Sequence, residues 1–175
     1  MSETLRISTR PTVEGDEETL WLMLYYASHS DDEAGVGPDE IRSNPDLIGY
    51  IEGWRQGGRI GMMAESEGAP RGAAWLRTLS DRERANPVFM GIEVPELAIA
   101  VLPGQQSQGV GTYLLQTLLE RADHLPGIVL SVRADNPAVR LYERFGFEIV
   151  ETITNRVGTL SVKMYRPGEG DAAAG

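Results

Sequence analysis

Cysteine is absent from the 175-residue chain, which excludes disulfide frameworks, thiolate zinc sites, iron–sulfur clusters and a cysteine nucleophile. Lysine is nearly absent: Lys163 stands alone among 16 basic residues, so Schiff-base chemistry has a single candidate. Histidine is confined to His29 and His124, far apart in sequence, which argues against a multi-histidine metal site. Long apolar runs are also missing. The longest, Leu97 to Leu102, falls far short of the roughly 20 residues that a bilayer-crossing helix needs. Met1 to Ile7 has neither the basic end nor the apolar core of a signal segment. A cytoplasmic protein without metal and without membrane association is expected.

Basic residues are outnumbered by 26 acidic ones, giving a formal net charge of −10. A chain of that sign repels phosphate backbones unless its arginines gather into one patch, and no such run occurs, so nucleic acid is not an expected partner. The remaining composition, 41% hydrophobic and 24% charged, is that of an ordinary globular protein. The length favours a single domain over residues 1–166, followed by a flexible glycine- and alanine-rich tail over 167–175.

Leu5, Ile7 and Thr9 alternate with polar residues up to Pro11, the period of a half-buried strand. Acidic residues from Glu14 to Glu18 then precede Leu20, Met23, Leu24 and Ala27 at helical spacing, predicting a helix to about Ser28. Shorter helices are expected over Asp39 to Ser43 and Pro45 to Trp54. Strands over Ile60 to Glu65 and Arg71 to Leu79 flank a glycine–proline turn, and Ser80 to Val94 reads as a long connection. Leu97 to Leu102 lacks alternation, as a strand buried on both faces does. A helix from Val110 follows, with apolar residues at 110, 114, 115, 118, 119 and 122. A strand at Ile128 to Val132, a short helix at Pro137 to Phe145, and strands at Phe147 to Thr154 and Leu160 to Tyr165 complete an α/β sandwich on a mixed sheet.

The segment Gln106-Ser107-Gln108-Gly109-Val110-Gly111-Thr112 joins the apolar strand to the amphipathic helix. A strand that enters a helix through glycines leaves main-chain N–H groups pointing outward where the helix dipole adds positive charge, an arrangement that suits phosphate. A P-loop is excluded because Thr112 and Tyr113, not lysine and a hydroxyl residue, follow Gly111. The dinucleotide fingerprint is excluded because its third glycine is Leu114 and no acid ends the next strand. Two readings remain on the glycines alone: a phosphate cradle, or a tight strand-to-helix turn with no ligand.

The stretch from Glu96 to Phe147 resembles the GNAT superfamily of acetyl-CoA-dependent N-acetyltransferases. The resemblance rests on Leu97 to Leu102, on Gln106-x-x-Gly109-x-Gly111, on Ile128 to Val132, and on Asn136-Pro137, Leu141-Tyr142 and Gly146-Phe147. It implies a mostly antiparallel central sheet with parallel, splayed middle strands, flanked by helices, and acetyl-CoA as co-substrate. It further implies that the main chain of Ile99, Ala100 and Val101 runs beside the pantetheine arm and that residues 106–112 hold the diphosphate. Asn136 would lie near the pantetheine, although an asparagine before Pro137 also suits a helix cap. Tyr142 is then the proton donor to the leaving thiolate, since a phenol with a pKa of about 10 stays protonated at neutral pH; its other reading is a core residue beside Leu141 and Phe145.

Glu96 resembles the carboxylate that deprotonates the amine, with Glu93 as substitute and a solvated strand-end glutamate as the other reading. The strand over Leu130-Ser131-Val132 lacks the glutamate that some protein N-terminal acetylating members carry, which weakens a ribosomal-protein acceptor. Acceptor choice in this fold comes from His29 to Trp54 and Ser80 to Val94. There Asp31, Asp32 and Glu33 read first as a solvated loop, and Tyr50 and Trp54 as residues packed on the sheet. The expected reaction is transfer of acetyl from acetyl-CoA to a primary amine, on a small molecule or a protein, by direct attack in a ternary complex. An acyl-CoA-binding regulatory module with little catalysis is the alternative. The closing pair of strands is a possible homodimer surface.

Overall fold

The structure, a computed structural model, describes residues 6–57, 59–78, 94–106, 108–154 and 158–169. The expected connection over 80–93 with Glu93, the glycine-turn residue Ser107, and most of the tail lie outside them. The strands hydrogen-bond in the order β1-β2-β3-β4-β5-β7-β6 in a mostly antiparallel sheet of seven. They are β1 (Ser8–Pro11), β2 (Gly61–Ser66), β3 (Ala69–Arg77), β4 (Glu96–Val101), β5 (Gly127–Arg133), β6 (Glu148–Thr154) and β7 (Leu160–Pro167). Three α-helices accompany them, α1 (Glu17–Ala27), α2 (Val110–Arg121) and α3 (Ala138–Arg144). The chain divides into two compact units, one of Met1–Arg77 with Ala98–Arg121 and the other of Thr78–Leu97 with Ala122–Gly175.

In the first unit β1 pairs antiparallel with β2, and β2 with β3, so that Pro11 faces Met62 and Gly61 faces Trp75. The β2–β3 turn is only Glu67-Gly68, with φ of 53° and 76°. Two successive left-handed residues match the twist of a hairpin, which is why the turn is tighter than the Ser66-to-Pro70 stretch suggested. The register then shifts between Ala64 and Glu65, whose partners are Gly72 and Pro70, leaving Arg71 as the extra residue. A proline that cannot donate to a ladder is a common neighbour of such a bulge.

Leu20, Trp21, Met23 and Leu24 of α1 pack on Met63, Ala73, Trp75, Ala98 and Ala100. On α2, Leu114, Leu115 and Leu118 are fully buried, and each such side chain contributes roughly 1.5–3 kcal/mol by leaving water. The helix expected over Pro45 to Trp54 does not form. Short 3₁₀ turns, Ile48–Tyr50 and Trp54–Gln56, replace it, and Gly53 between them takes a left-handed φ of 77°. Glycine interrupts a helix readily because it gains none of the Cβ restriction that favours one.

In the second unit β4 starts parallel to β5, with Glu96 opposite Val129 and the Val129 N–H donating to Pro95 O at 3.0 Å. β5 pairs antiparallel with β7 from Gly127↔Pro167 to Arg133↔Ser161, and β7 with β6. At Gly127 a Cβ would lie 2.7 Å from the Tyr165 ring, so a larger residue there needs that ring to shift. Gly146, with φ of 89°, ends α3, and the Arg166 Nε–H holds Phe145 O at 2.8 Å. Among the described residues no helix is long and apolar enough to cross a membrane, and no group of three or more histidine and acidic side chains is placed to hold a metal ion.

Candidate active site

The first unit carries the strand and the glycine turn. Ala100 is buried, while Ile99 and Val101 are half-buried. β3 lies unusually close to this strand at Gly72, where a Cβ would sit 2.7 Å from Ala100 O and 3.1 Å from Leu114 Cδ1. The glycine is therefore what lets strand and helix close on each other, a role that an isolated glycine within a strand pattern signals.

Past β4 the chain braces itself with its own side chains. Gln106 Oε1 accepts the Gly104 N–H at 2.9 Å, Gln106 Nε2 reaches Val101 O at 3.5 Å, and Gln108 Nε2 reaches Gly104 O at 3.4 Å. Gly109 has a φ of 79°, and among the described residues nothing lies within 4 Å of where its Cβ would be. The first helical bond runs from the Tyr113 N–H to Gly109 O at 3.0 Å. The N–H groups of Val110, Gly111 and Thr112 consequently have no partner within the helix. Val110 anchors the turn in the core at 1% exposure, whereas Thr112 is exposed.

The second unit carries the other predicted residues. Asn136 Oδ1 accepts the Ala138 N–H at 2.9 Å and so caps α3. This satisfies the cap reading of Asn136. Tyr142 projects from α3 with 6% exposure and meets Phe147 edge-on, ring centroids 6.0 Å apart at 67°. Among the described residues nothing hydrogen-bonds its hydroxyl. Burial pushes the phenol pKa up to about 12, because the phenolate would lose water that the ring's surroundings cannot replace. The core reading of Tyr142 thus holds for its ring. Glu96 is 7% exposed, which removes the reading of a solvated strand-end carboxylate.

In the segment expected to choose the acceptor, Asp31 and Asp32 are exposed and Glu33 is half-buried. Trp54 is core, at 4% exposure, with its indole N–H on Val13 O at 3.2 Å. Tyr50 is half-buried and lies under the Arg77 guanidinium, 4.0 Å from the ring centroid. Neither Gly72 nor Arg77 stood out in the sequence as a site residue. The first had a usable signal, a lone glycine in a strand; the second had none, since alternation alone does not tell a buried arginine from a solvated one.

A seven-stranded, mostly antiparallel sheet with a parallel step from β4 to β5, flanked by helices, is the fold of the acetyltransferase class. The family model described as the acetyltransferase (GNAT) family matches residues 3–147, and the chain belongs to that family. A mycothiol acetyltransferase of Brachybacterium faecium is 38% identical over 81 residues. That match covers 45% of this chain and only 23% of the relative, so the chain spans less than a quarter of its length. A GNAT-family acetyltransferase from Streptococcus pneumoniae shares the fold with a TM-score of 0.69 at 20% identity, covering 93% of this chain and 99% of that one. A Salmonella typhimurium protein described as an acetyltransferase, solved with its cofactor acetyl-CoA, gives 0.66 at 20% identity, covering 92% and 93%.

Proposed function

We propose that this protein transfers the acetyl group of acetyl-CoA to a primary amine by direct attack of the amine in a ternary complex. The observation that carries the reading is the turn before α2. Among the described residues nothing lies within 4 Å of a Cβ at Gly109, and the three following N–H groups have no partner within the helix. Such groups at a helix start favour an anion through hydrogen bonds and through the helix dipole. Residues 106–112 hold the diphosphate, and the main chain of Ile99, Ala100 and Val101 runs beside the pantetheine arm. Asn136, already committed to its cap, contributes there only through its remaining polar atoms.

When bound, acetyl-CoA supplies an activated thioester. Tyr142 keeps its proton at neutral pH and gives it to the departing sulfur, since burial holds its pKa at about 12. Glu96 accepts the proton that the amine must lose before attack, directly or through water. An amine such as lysine has a pKa of about 10.4 and is charged at neutral pH without that help. Positioning of the two reactants supplies much of the rate, and the proton transfers add roughly 10²–10⁴-fold.

Calorimetric titration with acetyl-CoA tests the cradle, and thiol release across a panel of amines tests transfer. Binding with amine-dependent thiol release is expected. Binding without release for any amine would convert the reading to an acyl-CoA-sensing module, and absence of binding would end it.

A further inference from the structure

β3 meets β4 at the end where the chain leaves for the glycine turn, with the Leu102 N–H donating to Arg71 O at 2.9 Å. Gln106, the first residue of that turn, folds back so that its Nε2 lies 3.5 Å from Val101 O. Arg71 and the start of the turn thus share one end of β4. The Arg71 main chain is fixed there: it is the extra residue of the β2–β3 bulge, and at the neighbouring Gly72 a Cβ would lie 2.7 Å from Ala100 O. Bulges re-aim a side chain out of the regular ladder.

Arg71 is half-buried, and its Nε is buried without a hydrogen-bond partner. Among the described residues no acceptor takes any of its three nitrogens, and no carboxylate lies within ion-pair distance. The other half-buried arginines are all answered. Arg10 holds Asp16 and Glu65, Arg59 donates to the Tyr50 and Glu52 carbonyls, Arg133 meets Asp135, and Arg166 holds Phe145 O. Glu65 faces Pro70, next to Arg71, across the hairpin, yet its carboxylate lies on Arg10 at 2.9 Å. A covered guanidinium N–H without an acceptor is costly, so its presence calls for a reason.

The glycine turn has the complementary need. On the reading proposed above it holds a diphosphate, but no lysine or arginine occurs between Arg84 and Arg121. The helix start supplies only a partial charge, about half an elementary unit, in a chain of net charge −10. A guanidinium supplies a whole charge and a fork of donors that fits two phosphate oxygens at once. Leu102, bonded to Arg71, stands between the strand assigned to the pantetheine arm and the turn assigned to the diphosphate. The diphosphate is therefore the first anion of the ligand that Arg71 meets, ahead of the 3′-phosphate on the adenosine.

We propose that Arg71 binds the diphosphate of acetyl-CoA and completes, with a full charge, the cradle that the turn builds from N–H groups. This rests on the transfer reaction proposed above.

Calorimetric titration of the intact protein and its variants is the test. Arg71→Gln should weaken acetyl-CoA binding roughly 10- to 100-fold, the range for losing a hydrogen bond to a charged group. Arg71→Lys should fall between, because it keeps the charge and loses the fork. The acetyl thioester of 3′-dephospho-CoA should suffer the same loss, whereas S-acetylpantetheine, which has no phosphate, should bind wild type and Arg71→Gln alike. Unchanged acetyl-CoA affinity in Arg71→Gln, a loss that S-acetylpantetheine shares, or a loss confined to the ligand with the 3′-phosphate would overturn the proposal. A wild type that takes up acetyl-CoA and is matched by Arg71→Gln loses only this inference. A wild type that takes up none loses the transfer reading as well.

Discussion

Replacing Tyr142 with phenylalanine separates chemistry from structure because the ring and the hydroxyl have different surroundings. The ring is 6% exposed and packs edge-on against Phe147, and phenylalanine preserves both features. The hydroxyl hydrogen-bonds to none of the described residues, so its removal breaks no hydrogen bond among them. Stability at neutral pH should therefore change by under about 0.5 kcal/mol, the range of substitutions that disturb no special feature. Acetyl-CoA affinity should also hold, since the cradle proposed for its diphosphate is elsewhere in the chain. Turnover should drop by roughly 10²-fold or more, the contribution of a positioned acid. Thiol release measured beside calorimetric binding checks this, and an unaltered turnover would remove Tyr142 as the donor.

The same variant has a second readout at high pH. In the folded chain the phenol pKa rises to about 12 from an unfolded value near 10. Between those values the unfolded chain releases the proton and the folded chain keeps it, so fewer protons are bound on unfolding and stability falls as pH rises. The full contribution is present below pH 10 and is lost by about pH 12, roughly 2–3 kcal/mol in all. Denaturant midpoints of wild type should thus fall more steeply over this window than those of Tyr142→Phe. Parallel curves would mean that the ring's burial does not hold the proton, and the argument for a neutral acid would fail with it.

Gly109→Ala should weaken acetyl-CoA binding several-fold, because a left-handed φ costs an L residue roughly 1–2 kcal/mol and the new methyl faces the anion; calorimetry decides, and unchanged affinity would mean that the turn is only a connector. Glu96→Gln should remove the lower limb of the pH–rate profile while leaving acetyl-CoA binding intact; a retained limb returns Glu96 to a structural role. Gly72→Ala should lower the melting temperature by several degrees, since its methyl would approach Ala100 O to 2.7 Å and crowding in a packed interior costs roughly 1–3 kcal/mol. A melting temperature equal to wild type would show that β3 and β4 yield easily at that point.

What could be read in the sequence divides by the range of the forces involved. The order of elements was legible because periodicity is local: Leu20, Met23 and Leu24 repeat as a helix face, and the unbroken run from Leu97 becomes the buried β4. The segment over 45–54 misled because a proline at a helical start was weighed against glycines whose conformation depends on context, and Gly53 went left-handed. The glycine turn could be proposed as a phosphate site from the sequence because the chemistry in question lies in the main chain, where residue type decides what an anion can reach.

The arginine cluster is the opposite case. Arg59 and Arg77 are brought together by the β2–β3 hairpin, and Tyr50 reaches them from a 3₁₀ turn that no helical or strand period encodes. Nothing in a one-dimensional pattern distinguishes Arg59 from Arg42 and Arg55, whose charges are answered by Glu18 and Glu17. The difference is that among the described residues no carboxylate answers Arg59, and that is a property of three-dimensional neighbours. If acceptor selectivity in this protein is written in residues of this kind, sequence comparison will assign the transfer reaction long before it assigns the amine. The amine must then be found by varying its charge.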